Sequence, residues 1–242
     1  MDEMEKIKQI LAKQLEQFEE MMKNPPVFDN KFIGQIKKVT GDFSKGFTYY
    51  IVARPGMGKT TLLKEILQSE NDKTILVFSL EESKENFMKG FKNHQNIMIN
   101  DTALMTVEDI KAVVRDVKPD IVAIDYFQLL NGNGSNLDEI YSIASHELKM
   151  LAKELDISII SVSQLGRECE KRIDKRPRLR DLDYTSYRSI VQDADCIMLL
   201  YHNLYYDENR DWTKNIKPNR ELIIAKNRNG DTGIIIEKSE KE

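Results

Sequence analysis

Residues 53–60 read Ala-Arg-Pro-Gly-Met-Gly-Lys-Thr, a glycine-containing loop that follows an apolar stretch and precedes a helical pattern. Gly56 and Gly58 allow a tight turn in which successive backbone N–H groups point at one place, and the N-terminal end of the next helix adds positive potential there. Lys59 brings a point charge suited to the outer phosphates of a nucleotide, and Thr60 offers a hydroxyl to a magnesium ion. The pattern therefore predicts a phosphate-binding loop for a nucleoside triphosphate.

The loop departs from the strict motif at one position, because Ala53 stands where the motif has glycine. A chance Gly-Lys-Thr in a surface loop is the alternative. The apolar stretch 48–52 before the loop and the helical pattern 61–67 after it favour the phosphate-binding interpretation. The predicted nucleotide contacts are Ala53, Arg54, Pro55, Gly56, Met57, Gly58, Lys59, Thr60 and Thr61.

Three polar side chains end predicted strands, where ligands of open parallel sheets bind. Asp125 is placed to hold magnesium beside Thr60, although alone it would be read as the start of a turn. Glu81 is placed to polarise an attacking water, with Glu82 as a competitor and with the alternative that both are exposed acids of a first helical turn. Gln164 could hydrogen-bond the γ-phosphate or a water and so report the nucleotide state.

A basic stretch follows that third strand. Residues 167–180 contain seven Lys and Arg against three Asp and Glu, which leaves a net charge of +4. A solvated face is the alternative for any charge run, but the position after a nucleotide-sensing strand favours nucleic acid, held by its phosphates. Two tyrosines beyond it could stack on bases or pack as local core. The predicted nucleic-acid contacts are Arg172, Lys175, Arg176, Arg178, Arg180, Tyr184, Tyr187 and Arg188.

Lys226 and Arg228 lie at the rim of a late predicted strand, in the sequence Ala-Lys-Asn-Arg-Asn-Gly. Arginine is always charged and binds in a bidentate manner, which suits a group that completes the catalytic site of another subunit. The alternative is an ordinary hairpin turn, since Asn-Gly is a common hairpin signal.

Bulk composition restricts the class of protein. The chain has 242 residues, 40% hydrophobic and 31% charged, which suits one large α/β domain with a full core. No apolar run approaches the length that spans a bilayer, so we expect no membrane partner. Cys169 and Cys196 are expected to be reduced thiols of a cytoplasmic protein. With a net charge of −4, a nucleic-acid partner needs a local basic patch.

Residues 2–23 place apolar side chains every three or four positions, which predicts one amphipathic helix that ends at the Asn-Pro-Pro of 24–26. The helix either packs on its own domain or docks on a neighbouring subunit. We therefore expect a linker or oligomerisation helix in 1–26 and a nucleotide-hydrolysing domain in 27–242.

From residue 47 the chain alternates strands with helices, which predicts right-handed crossovers and a mostly parallel sheet. The last three strands have no helix between them, so we expect them to pair antiparallel at one edge. The predicted strands are 48–53, 74–80, 121–124, 157–162, 196–202, 221–225 and 233–237, and the predicted helices are 59–68, 83–92, 106–117 and 137–155.

Together these segments resemble the RecA-like motor domain of the DnaB family of hexameric replicative helicases. The similarity covers roughly residues 47–238, and the matching segments are 53–61, 78–81, 124–130, 163–167, 174–177, 192–195 and 225–230.

The resemblance implies an α/β fold with a RecA-like P-loop NTPase core, ATP and Mg²⁺ as ligands, and a hexameric ring around single-stranded DNA. It implies that residues 2–23 are the linker helix, which packs on the adjacent subunit. The roles that it implies are phosphate contact for Lys59, magnesium binding for Thr60 and Asp125, catalytic base for Glu81, sensor for Gln164, and contact with the neighbouring subunit's ATP for Lys226 and Arg228.

The sequence departs from the family at two places. The family's N-terminal helical domain, which organises primase contact and ring shape, is not in this sequence. The family's glycine-containing DNA loop corresponds to the longer stretch 183–189, which has no glycine. We expect stacking by Tyr184 and Tyr187 to replace the family's backbone grip there.

We expect an ATP-dependent 5′-to-3′ DNA helicase motor that works as a ring, with a loader or primase as a further partner. The Lys-, Asn- and Ile-rich composition suits a phage, plasmid or low-GC bacterial source. One alternative is a RecA-like ATPase that acts as a loader, switch or scaffold without unwinding. Another is a nucleotide-binding module without turnover, against which the intact Glu81, Asp125 and Arg228 argue.

Overall fold

The computed structural model describes residues 30–89, 91, 95–182, 184–206 and 220–237. The predicted helix 2–23, and with it the boundary drawn after residue 26, lies outside these ranges.

One mixed sheet forms the centre of the described residues. Its strands are β1 (Thr48–Ala53), β2 (Ile75–Ser79), β3 (Ile97–Asn100), β4 (Ile121–Asp125), β5 (Ser158–Gln164), β6 (Cys196–His202), β7 (Arg220–Asn227) and β8 (Gly233–Glu237). They lie in the order β3-β2-β4-β5-β1-β6-β7-β8. The first six run parallel, whereas β7 and β8 pair antiparallel at one edge, as the sequence predicts.

Helices cover both faces of this sheet. They are α1 (Asn30–Thr40), α2 (Lys59–Gln68), α3 (Lys84–Met88), α4 (Val107–Val117), α5 (Leu137–Leu155) and α6 (Tyr184–Asp193), with short 3₁₀ helices at Phe127–Leu129, Arg167–Lys171, Leu179–Asp181 and Asn203–Tyr206. One core joins α1, α2 and α3 to one face of the sheet, and a second core joins α4, α5 and α6 to the other. This three-layer arrangement confirms the predicted α/β class. Within the described ranges, no helix is long and apolar enough to cross a membrane.

Local sequence signals explain where the two long helices of the second face begin. Thr106 and Asp109 form a capping box at the start of α4, in which each side chain binds the other residue's backbone N–H. Asn136 accepts a hydrogen bond from the backbone N–H of Glu139 at the start of α5. The apolar residues of each helix then recur on one side, which buries that side against the sheet.

Three elements are not anticipated by the sequence patterns. Helix α1 begins after Asn-Pro-Pro, where we expected only the end of a helix. Strand β3 is four residues long, too short for alternation to stand out. Helix α6 starts Tyr-Thr-Ser-Tyr-Arg-Ser, in which every residue except Arg188 is a weak helix former. The predicted helix 83–92 is also shorter, since α3 ends at Met88.

A buried charge cluster fixes helix α2 to the antiparallel edge of the sheet. Arg220, at the start of β7, donates to both carboxylate oxygens of Glu65 at 3.0 and 2.9 Å and also pairs with Glu237 of β8. Arg220 has 7% of its side chain exposed and Glu65 5%. Breaking such a pair leaves a buried charge without compensation. The helix that begins at the phosphate loop is therefore anchored at a fixed position.

Candidate functional site

The predicted phosphate loop connects β1 to α2, at the carboxyl end of a central strand. Gly56 and Gly58 have φ angles of 75° and 84°, which side chains with a Cβ atom rarely adopt. Gly58 is the N-cap of α2, and its carbonyl accepts from the backbone N–H of Leu62 at 2.9 Å. The unpaired N–H groups of the first helical turn therefore face the space that the loop encloses.

Asp125 lies at the end of β4 with 3% of its surface exposed, beside the start of α2. Burial raises the pKa of this carboxyl to about 6, although a hydrogen bond from Thr60 acts in the opposite direction. Burial also lowers the pKa of Lys59, against the attraction of Asp125 and Glu81. A desolvated carboxylate next to a hydroxyl offers the hard oxygen ligands that Mg²⁺ prefers, so these residues fit the ion that the sequence predicts.

Glu81 and Glu82 follow β2, which is paired with β4 so that Ser79 lies beside Asp125. Both glutamates are exposed. The charges of both glutamates act on Asp125, but only that of Glu81 also acts on Lys59, at the predicted phosphate position. Glu82 lies 3.8 Å from Lys64, on the second turn of α2. The arrangement favours Glu81 over Glu82 as the group that faces the nucleotide.

Gln164 is the last residue of β5 and is paired with Ala53, the first residue of the phosphate loop. Its backbone is held by Gln128, whose side-chain amide donates to the Gln164 carbonyl at 3.3 Å and accepts from the Gln164 N–H at 3.2 Å. The same amide donates to Ser163 at 2.8 Å. Gln128 therefore fixes the predicted sensor against the strand that ends in Asp125.

Lys226 and Arg228 lie at the opposite end of the parallel strands from the phosphate loop. Lys226 is paired with Ile197 at the beginning of β6, and the backbone N–H of Arg228 donates to the Asp195 carbonyl at 2.9 Å. Strand β1 has six residues, so its two ends are roughly 16 Å apart at about 3.3 Å per residue. Neither side chain can span that distance to the phosphate loop of its own chain.

The basic stretch after β5 forms an ordered connection that lies at the same end of the strands as the phosphate loop. We call residues 166–182 the basic segment. Its base is closed by a bridge between Leu165 and Leu182 and by a 2.8 Å hydrogen bond from the Gly166 N–H to the Asp181 carbonyl. A Cβ atom on Gly166 would lie 3.0 Å from that carbonyl oxygen, so a larger residue there would push the two backbones slightly apart.

Two arginines that the sequence assigns to nucleic acid are paired with carboxylates of this chain. Arg172 binds both oxygens of Asp181, which is 1% exposed. Arg176 binds both oxygens of Glu221 at 2.6 and 2.8 Å. Bidentate pairs of this kind hold a guanidinium in one orientation. The geometry therefore gives Arg172 and Arg176 a structural role. The net charge of the segment does not show this, because it counts paired and unpaired cations alike.

The other predicted nucleic-acid residues divide into three groups. Lys175 lies 4.9 Å from the centroid of the Tyr206 ring. Arg178, Arg180 and Arg188 are exposed. Tyr184 and Tyr187 belong to α6, and their side chains lie outside the described part of the structure. The expectation of a loop at 183–189 is wrong over its described residues, because 184–193 are helical.

The structure brings together the strand ends that the sequence patterns single out, but the patterns miss the side chains that hold those ends in place. Gln128 and Asp181 are the clearest examples. Gln128 lies in the matching segment 124–130 three residues after Asp125, but nothing in the sequence shows that its amide holds Gln164. Asp181 follows the basic stretch, where the sequence does not distinguish it from a surface aspartate.

A mostly parallel sheet with a phosphate loop after β1 and with polar side chains at the ends of β2, β4 and β5 defines a P-loop nucleotide-binding domain. The family described as "DnaB-like helicase C terminal domain" matches residues 88–241. The chain belongs to this family.

Curated relatives and solved structures agree with that assignment. The chain is 34% identical to the replicative DNA helicase DnaB of Geobacillus stearothermophilus and 33% identical to the replicative DNA helicase DnaC of Bacillus subtilis (strain 168), over 83% of this chain and 52% of each relative. It thus spans about half the length of these relatives. A solved structure described as an "ATPase Domain" superposes with a TM-score of 0.74 at 31% identity, covering 95% of this chain and 94% of that one.

A second solved structure, described as a DnaB-like replicative helicase and its interactions with primase, also has a TM-score of 0.74. The sequence identity is 30%, and the match covers 92% of this chain and 62% of that one. The RecA-like core predicted from the motifs is therefore confirmed by structures of the same family.

Proposed function

We propose that the chain is the ATP-hydrolysing motor of a ring-forming DNA helicase that moves on single-stranded DNA during replication. The observation that carries the proposal is the grouping of Lys59, Thr60, Asp125 and Glu81 at the carboxyl ends of the central strands, in a member of the DnaB-like family. The relatives named as replicative DNA helicases support the substrate.

In the proposed ATP site, each residue has a task that its position supports. The backbone of the phosphate loop and Lys59 bind the phosphates, while Thr60 and Asp125 hold Mg²⁺. When bound, the ion neutralises part of the charge on the phosphate oxygens. Glu81 orients and polarises the attacking water, and Gln164 contacts the γ-phosphate beside Ala53.

A ring is supported by the position of Lys226 and Arg228. Because they lie at the far end of the strands from their own phosphate loop, a nucleotide that they contact must belong to another subunit. We propose that they complete the ATP site of the neighbouring subunit, in a hexamer. The predicted helix of residues 2–23 would strengthen that contact by docking on the neighbour.

For DNA, we propose that four cations of the basic segment and of α6 face the channel of the ring. These are the half-buried Lys175 and the exposed Arg178, Arg180 and Arg188, with Tyr184 and Tyr187 as candidates for stacking on bases. A loader or primase remains a proposed partner of the ring.

The test is the rate of ATP hydrolysis with and without single-stranded oligo(dT), together with unwinding of a forked duplex that has a 5′ tail. We expect hydrolysis that DNA stimulates, and unwinding that Lys59→Ala abolishes. Lys153→Ala is the matched control, because Lys153 is exposed on α5 away from the loop. A hydrolysis rate that DNA leaves unchanged, with no unwinding, would instead indicate a loader, switch or scaffold.

A further inference from the structure

Arg54, the second residue of the phosphate loop, does not face solvent. Its Nε donates to Glu170 at 2.8 Å, and its Nη1 donates to the carbonyl of Leu165 at 2.8 Å. Its side chain is 12% exposed. Glu170 lies in the 3₁₀ helix that opens the basic segment, and Leu165 lies directly before that segment. One side chain therefore ties the phosphate loop to the base of the basic segment.

The backbone makes a second connection at the same place. The N–H of Leu165 donates to the carbonyl of Ala53 at 2.9 Å, so the first residue of the phosphate loop and the residue before the basic segment are neighbours. The side of Arg54 that faces the nucleotide is also occupied, because Lys59 donates to the Arg54 carbonyl at 3.4 Å. The peptide of Arg54 thus lies between the predicted phosphate position and Glu170.

We propose that the Arg54–Glu170 pair couples occupancy of the phosphate loop to the basic segment, with Glu170 as a positioning residue. A bound triphosphate attracts Lys59, which then leaves the Arg54 carbonyl. The Arg54 peptide reorients, and its guanidinium transfers the movement to Glu170 and to the Leu165 carbonyl. The inference rests on the proposed function, since it takes ATP as the ligand of the loop and DNA as the ligand of the segment.

The internal contacts of the basic segment explain how a displacement of Glu170 can be transmitted to the other residues of the segment. The bridge between Leu165 and Leu182 closes its base, and the pairing of Arg172 with Asp181 ties its middle to its end. Arg176 is attached to Glu221 of β7. Arg176 therefore remains fixed to the sheet, and the segment turns about this point, so a displacement at Glu170 also displaces the exposed Arg178 and Arg180.

The chain offers a matched pair of variants on one short helix. Glu170→Gln keeps the shape of the side chain and removes its charge, which weakens the contact with Arg54. Glu168→Gln is the control, because Glu168 lies in the same 3₁₀ helix but pairs with Lys171 at the surface, with 65% of its side chain exposed. Glu170→Asp keeps a carboxylate and tests whether charge, rather than size, carries the coupling.

The first measurement is hydrogen exchange of the backbone amides of residues 166–182, with and without a non-hydrolysable ATP analogue and Mg²⁺, in the absence of DNA. We expect the analogue to change exchange there in the unmodified protein and in Glu168→Gln. In Glu170→Gln, which should bind the analogue with unchanged affinity, the change should be lost. Glu170→Asp should retain more of it than Glu170→Gln does.

The second measurement is the ratio of oligo(dT) affinities with and without the analogue. Couplings between two sites are typically about 5–150-fold, and we expect Glu170→Gln to bring the ratio to within about twofold of one. An unchanged ratio and unchanged exchange in Glu170→Gln would overturn the inference, as would loss of nucleotide binding in that variant, which indicates a role in the site itself. Failure of the unmodified protein to bind the analogue or oligo(dT) would contradict the proposed function instead.

Discussion

The guanidinium of Arg228 lies 3.2 Å from Oδ1 of Asp195, so the arginine that we propose to act in a neighbouring ATP site is held by a carboxylate of its own chain. Asp195 is 3% exposed, and its second oxygen accepts from the Thr48 N–H at 2.8 Å and from Lys149 at 2.6 Å. The Arg228 side chain itself is 49% exposed. The carboxylate thus orients an arginine that remains accessible to another subunit.

The first prediction concerns this arginine. Arg228→Ala should leave ATP affinity close to that of the unmodified protein and lower turnover by about 10³–10⁵-fold, because such a group stabilises the transition state from outside the binding loop. Hydrolysis rates and nucleotide titrations measure the two effects. Arg115→Ala, at an exposed pair with Glu154, is the control.

Mixing subunits tests the same prediction more directly. Lys59→Ala subunits are expected to lack ATP binding but still carry Arg228, so a mixture with Arg228→Ala subunits should regain part of the activity. A monomeric protein with full hydrolysis would contradict the shared site. Equal inactivity of the mixture and of its components, in assembled rings, would also count against it.

The second prediction separates the two adjacent glutamates. Glu81→Gln should keep nucleotide binding and lose about 10²–10⁴-fold in turnover, the usual contribution of general-base assistance. Glu82→Gln should have a small effect, because its carboxylate faces Lys64 at 3.8 Å. Single-turnover hydrolysis with prebound ATP measures the chemical step in both. The reverse result would move the catalytic assignment by one residue.

The third prediction distinguishes structural from DNA-binding arginines. Arg172→Ala leaves the buried Asp181 without its partner and should lower the free energy of unfolding by roughly 1–3 kcal/mol. Arg180→Ala and Arg188→Ala remove exposed cations and should leave stability unchanged while weakening binding of oligo(dT). Denaturant unfolding and DNA titrations measure the two quantities.

The salt dependence of DNA affinity, and the affinity of two Tyr→Ala variants, extend the third prediction. If the exposed arginines bind phosphates, each Arg→Ala substitution should make the slope of log affinity against log salt less negative by about 0.7 on single strands. Tyr184→Ala and Tyr187→Ala should each cost roughly 1–3 kcal/mol of binding if their rings stack on bases. Affinity that none of these variants changes, in folded and ATP-binding protein, would exclude α6 and the basic segment as the DNA contact.

The fourth prediction uses the two cysteines as reporters of folding. Burial raises the pKa of the Cys196 thiol to about 12 and also raises the pKa of the Cys169 thiol, so at about pH 8 each carries less thiolate than an exposed cysteine. A disulfide reagent should therefore label native protein slowly and label protein in guanidinium chloride quickly. Fast labelling of native protein would show that one of these sites opens readily.

The sequence predicts which strand ends lie together, because each one combines a polar residue with a strong apolar pattern before it. Asp125 and Gln164 lie where such strands end, and the parallel topology brings them together. The sequence cannot show which cations are already paired. Arg172 and Arg180 look alike along the chain, yet only the fold brings Asp181 to the former and leaves the latter exposed.

Helix α6 illustrates the same limit, since its weak helix formers gave no signal and packing against α5 decides its structure. Carbonyl groups near its C-terminal end accept hydrogen bonds from Lys226 and Arg228. Lys226 donates to the Val191 carbonyl at 2.6 Å and to the Gln192 carbonyl at 3.3 Å, and Arg228 donates to the Gln192 carbonyl at 3.0 Å.

The helix has a consequence for timing in a ring. Its first residues follow the basic segment, and its last residues hold the two cations proposed for the neighbour's site. A ten-residue helix is a stiff rod about 15 Å long. A displacement of one end of the helix therefore displaces the other end too, so in the ring that we propose, DNA binding by one subunit would be timed with ATP hydrolysis in the site of the next subunit.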